Sequence, residues 1–276
     1  MKKKLAPIFL ILFLGAVYTS YLVLRDYESI TVQLWNLLPP LCASLCAIFT
    51  LKIYGKENPH AKALAFLALG IFFWFLGDFI WFIFEFFYNL HPFPSVADLF
   101  YLLAYPSLLA GLILEFKNNK MCWTRLRLTI CISKSIIFAL IVLYFGIIKA
   151  YNPEVAMLNN LIAMSYGVGD LVLIMLSSSI LLITFNYRKG KLFLPWIFIF
   201  IGFFLILVSD ILFAIYKESY ENLASPLRNL DLGWITGFSF LAFGFYKIGE
   251  ALEETKRKLL GLKTCDCGES CKCKKN

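Results

Sequence analysis

Apolar residues run along the chain in long blocks rather than alternating with polar ones. Eight stretches, about 5–24, 31–53, 63–87, 96–115, 128–149, 159–185, 193–216 and 232–249, are dominated by Leu, Phe, Ile and Ala, with short polar segments between them. A membrane-spanning helix needs roughly 20 mostly apolar residues. Unbroken runs of that length predict helices, not barrel strands, and hydrocarbon enforces the choice because each backbone amide must find its partner within its own segment. The expected fold is all-α: a polytopic membrane helix bundle of about eight spans over residues 1–250, then a cytoplasmic helix and Cys-rich tail over 251–276. Met1-Lys-Lys-Lys4 before an apolar run could also begin a secretory signal. The run to Leu24 is longer than a signal core and lacks a small-x-small cleavage site, so a retained helix is expected.

Composition agrees. Of 276 residues, 60% are hydrophobic, 17% aromatic and 16% charged, with a mean hydropathy of +0.75. A soluble domain is about 45–50% apolar and about 25% charged. Disorder, a nucleic-acid-binding domain and an ordinary soluble enzyme are therefore excluded. The net charge of +8 is a topology signal. Lys and Arg gather in the N-terminal tail, in every second loop and after Lys247, whereas the opposite loops carry only Arg25, Lys149, Lys217 and Arg228. By the positive-inside rule both termini are cytoplasmic, in a multi-pass protein of the cell membrane. The basic side then faces anionic lipid, which makes membrane lipid a partner and nucleic acid not one.

The two halves, about 31–116 and 159–249, resemble each other. Gly70 and Asp78 are matched by Gly202 and Asp210 at the same spacing, and Asp98, Tyr101 and Gly111 by Asp231, Trp234 and Gly244. Asn36 and Asp170 correspond more loosely. The pattern reads as a tandem 4+4 parallel repeat.

Acidic residues carry the chemical information. A charge at the middle of a span costs about 2.5–3.5 kcal/mol and marks function by default. Asp78, Asp170 and Asp210 lie within spans, with Glu85, Asp98 and Asp231 nearer the outer ends. Asp78, Trp81 and Glu85 share one helical face, and so do Asp98, Tyr101 and Tyr105, which predicts that the two stripes meet. Asn36 lies one turn from Pro39-Pro40, where a broken backbone beside a water-filled cavity is expected. Together these residues outline an outward-facing acidic and aromatic pocket. The bland alternative is that each Asp only hydrogen-bonds a neighbouring helix. Lys134 is expected to snorkel to the cytoplasmic surface. His60 and His91 fall in opposite loops. In the tail, Cys265, Cys267, Cys271 and Cys273 form a thiolate cluster suited to zinc or copper(I), metals that soft sulfur ligands select. Cys42, Cys46, Cys122 and Cys131 are expected to pack as small apolar groups.

Gly77-Asp78-Phe-Ile-Trp81, followed by Pro92-Phe-Pro94-Ser95-Val-Ala97-Asp98 and Tyr101…Tyr105-Pro106, resembles a pattern in multi-span membrane sensor regions. Those regions precede diguanylate cyclase and histidine kinase modules. The resemblance implies a sensory or ligand-binding bundle that signals through its last helix. A short helix and the Cys tail stand here in place of such a module, so a separate cytoplasmic signalling partner is expected. Gly77-Asp78 and Ser209-Asp210 are also similar to the Gly-Asp and Ser-Asp pairs of the lysoplasmalogenase-like eight-span family, which implies lipid hydrolysis as an alternative. A metal or small-cation transporter is the third reading. The leading one is not an enzyme.

Overall fold

A computed structural model describes residues 2–24, 29–55, 57–88, 90, 93–119, 124–185, 191–221 and 226–259. The four tail cysteines, Cys122 and His91 lie outside these residues, and so does the metal expectation. Among the described residues the chain is a bundle of eight helices without strands. They are α1 (Lys2–Thr19), α2 (Ile30–Tyr54), α3 (Pro59–Tyr88), α4 (Val96–Asn118), α5 (Arg125–Ile141), α6 (Met157–Phe185), α7 (Phe193–Glu221) and α8 (Asp231–Leu259). Short π-helical segments extend α1 over Ser20–Leu24 and α5 over Val142–Ile148, and a 3-10 turn, Pro226–Leu230, leads into α8.

Seven of the eight helices are long and apolar enough to cross a membrane. Helix α8 is the exception, since Asp231, Thr236, Ser239, Lys247 and Glu250 interrupt its apolar face. It is instead packed between α2 and α7, where little of it meets lipid. A polar helix is tolerated in a membrane bundle when its polar groups face protein. Thr50 Oγ1, for example, donates to the Phe245 carbonyl at 2.8 Å, tying α2 to α8.

Two antiparallel hairpins, α3–α4 and α7–α8, make the centre, with α2 laid on α3 and α8 and α6 on α7 and α4. The hairpins are built alike. Gly70 lies against Leu108 and the Ala104 carbonyl, as Gly202 does against Leu241 and the Gly237 carbonyl. Gly111 meets Leu67 and the Ala63 carbonyl, as Gly244 meets Ile199 and the Pro195 carbonyl. Missing side chains at these points let the helix backbones touch, the usual route to tight helix pairing in lipid. Helices α1 and α5 lie outside; α5 buries no residue between Arg125 and Ile141.

Three expectations are corrected. Pro39 and Pro40 do not break α2, which runs from Ile30 to Tyr54 with both prolines buried against its neighbours. Lys134 does not snorkel: its Nζ donates to Ser178 Oγ at 2.6 Å, Ser179 Oγ at 2.9 Å and the Met175 carbonyl at 3.0 Å on α6. Three acceptors on the adjoining helix satisfy the half-buried ammonium. His60 is not in a loop but in the first turn of α3, with Nδ1 2.8 Å from Glu115 Oε2.

Candidate functional site: an acidic and aromatic cavity

At the end of the bundle where α2, α4, α6 and α8 begin lies a cavity of about 130 Å³. Its lining includes Asn36, Asp78, Trp81, Glu85, Asp98, Tyr101, Tyr105, Asp210 and Asp231, which the sequence singled out. Asp170 is the exception; it is 2% exposed, behind Asp210 and bonded to Tyr105. The rest of the lining, among it Gln33, Trp74, Tyr166, Phe213 and Tyr220, was not read from the sequence, and Trp234 was read there only as the counterpart of Tyr101. A single water needs about 10–15 Å³, so the space holds several waters or one small molecule.

The α3 and α4 stripes meet as their spacing predicts: Tyr101 donates its hydroxyl to Asp78 Oδ1 at 2.7 Å. The corresponding contact in the other hairpin is Trp234 Nε1 to Asp210 Oδ1 at 2.6 Å. Local sequence makes the first contact. A Cβ on Gly77 would fall 2.4 Å from the Tyr101 ring, so only glycine lets that ring lie across α3 and reach the next residue's carboxylate. Gly169, just before Asp170, gives Tyr105 the same room. Gly77→Ala should therefore push Tyr101 off Asp78 at an overpacking cost of about 1–3 kcal/mol. The measurement is melting in detergent, together with a Tyr101→Phe background in which the alanine penalty persists but no further hydrogen bond is lost.

The carboxylates divide into two kinds. Asp98 and Asp231, 3% and 2% exposed, are structural in their contacts. Asp98 closes a capping box at the start of α4, its Oδ2 accepting from the Ser95 amide at 2.5 Å, while Tyr166 donates to Oδ1. Asp231 accepts from Tyr220 at 2.5 Å, Tyr21 at 2.9 Å and Asn36 at 3.3 Å. Asp78 and Asp210, by contrast, are only half-buried and lie at corresponding positions of the two hairpins.

Glu85 belongs to a third arrangement. Arg228, wholly buried in the turn before α8, places Nη2 2.7 Å from Glu85 Oε1 and its guanidinium 4.6 Å from the centre of the Tyr220 ring. Trp81 and Gln33 donate to Glu85 Oε2 at 3.2 and 3.3 Å. Burial alone would lower the Arg228 pKa, but Tyr220, Asp231 and Glu85 around it outweigh that and hold it above its ordinary value. Burial likewise pushes the Tyr220 phenol well above the usual range, which keeps it a donor. Sequence pattern assigned Arg228 to a loop, and a lone Arg before a helix carries no signal of burial.

Aromatic rings complete the walls. Phe213 meets Trp81, Phe93, Tyr220 and Trp234 edge-to-face at 5.2–6.3 Å between centroids. Beneath the cavity Trp74 makes similar contacts with Tyr105, Phe203 and Phe238. No protein-family model, curated protein or solved structure matches this chain.

Proposed function

We propose that this protein is an integral membrane ligand-binding protein whose acidic and aromatic cavity takes a cationic ligand from the outer face. The observation that carries the reading is the pairing of Asp78 and Asp210, half-buried and facing one aromatic-walled space. Carboxylates beside aromatic faces attract organic cations through both charge and ring quadrupole. The distribution of basic residues favours the outer side for the cavity, and the like contacts of the two hairpins support a tandem 4+4 origin. Helix α8 supports a sensory role. It begins in the cavity at Asp231 and, roughly 35 Å on at 1.5 Å per residue, holds the opposite end through Glu254 to Lys191 at 2.6 Å. Occupancy felt by Asp231 and Trp234 would reach a cytoplasmic partner along one continuous helix. The hydrolase and transporter readings rest on the same carboxylates and gain no observation of their own.

Calorimetric titration of the detergent-purified protein with benzylammonium tests the proposal. Saturable binding is expected in the parent chain, weakened tenfold or more in Asp210→Asn at unchanged elution volume and melting temperature. A parent chain without saturable binding would retire the reading.

A further inference from the structure

We infer that the ligand is a small protonated primary or secondary amine, not a quaternary ammonium, an anion or a phospholipid headgroup. This rests on the cation-binding reading above and deepens it by an inventory of hydrogen-bonding groups. The hydroxyls of Tyr101, Tyr166 and Tyr220 and the indoles of Trp81 and Trp234 each donate to a carboxylate. A phenol or an indole has one proton to donate, so these donors are spent. Asn36 turns its amide to Tyr21 and Asp231, and Gln33 gives Glu85 one of its two amide protons.

Arg228 Nε and Nη1 are also buried without acceptors, but Arg228 lies behind Glu85 and Tyr220 and does not line the space, so what the wall itself still offers is mainly an acceptor. Tyr101 takes Oδ1 of Asp78, and among the described residues none donates to its Oδ2. A ligand that fits such a wall brings N–H groups and asks for none. A protonated amine carries two or three. Phosphate or carboxylate would find the single-proton donors occupied, and a quaternary ammonium would bury the acceptor unmet, the costly outcome for a desolvated polar group.

The chain supplies its own example of the fit. Lys217 holds its ammonium 4.0 Å over the ring of Phe93, a lining residue, and within the field of Asp98. A primary ammonium is thus already seated against an aromatic ring of this cavity. The volume of about 130 Å³ is close to the roughly 150 Å³ that holds one benzene, which limits the ligand to a short alkyl or single-ring amine.

Tryptophan emission, with Trp81 and Trp234 in the wall as reporters, follows titration of the full chain with phenethylamine, its N,N,N-trimethyl analogue and 2-phenylethanol. The amine is expected to bind at least tenfold more tightly than the trimethyl analogue, and the alcohol more weakly still. Asp78→Asn should lower amine affinity tenfold or more at unchanged elution, and Asp210→Asn makes the same comparison should that variant misfold. Equal affinity for the trimethyl analogue would overturn the donor argument and leave the cation site standing. Equal affinity for the alcohol, or no saturable binding of any probe, would remove both. In nanodiscs, phosphatidylethanolamine should not compete with the amine; competition would give the site to a lipid headgroup instead.

Discussion

Arg228→Met is expected to destabilise the protein by about 3–5 kcal/mol, the cost of leaving one member of a buried ion pair without its partner. Arg228 and Glu85 have side chains only 1% and 8% exposed, and the pair joins the turn before α8 to the end of α3. Trp81 and Gln33 would still donate to Glu85, yet neutral donors do not replace a charge. Removing both partners behaves differently. A Glu85→Met, Arg228→Met double variant should recover most of the loss, since apolar side chains of similar volume are often neutral or better at such sites. Chemical or thermal melting in detergent over the four-member cycle gives the coupling. A double variant as unstable as the single one would mean that Arg228 acts through Tyr220 and the turn rather than through Glu85.

Trp74→Ala should be equally damaging, about 3–5 kcal/mol, because a large buried ring is lost and the void cannot close fully. Trp74 is 4% exposed and its ring touches Tyr105 on α4, Phe203 on α7 and Phe238 on α8. It is the point where the two hairpins share a core beneath the cavity. An apolar void lined by aromatic rings binds apolar guests, so added indole should restore part of the melting temperature of the variant and do nothing for the parent. A small loss without indole rescue would show that the helices close over the gap.

Much of the fold was legible because lipid simplifies the problem. Runs of Leu, Phe and Ile long enough to span needed no tertiary knowledge to become helices, and most of their ends lie close to those observed, although the last, read to 249, continues unbroken in α8 to Leu259. The meeting of Asp78 with Tyr101 was legible for a similar reason: a short connection forces α3 and α4 to be antiparallel neighbours, so facing stripes find each other. Other features depended on contacts between distant parts of the chain. Arg228 is buried against Glu85, 143 residues away, and Tyr220 lies beyond a kink in α7 at Tyr216. Lys134 turned inward toward serines on a helix 41–45 residues later. Pro39 and Pro40 were read by local rules that packing against α3 and α8 overrides. Asp98 carried a signal that was there to be used: Ser95 three residues before it spells a capping box.

The least lipid-soluble helix is also the last of those described, and that order matters during synthesis. While α1 to α7 enter the bilayer, the groove awaiting α8 would hold Thr50, Trp74 and the α2 face open to acyl chains. Helix α8 gains most of its reason to stay from α2 and α7, so its entry has to follow theirs. Asp231, Trp234 and Phe238 arrive with it, which makes completion of the cavity wall the closing step of assembly.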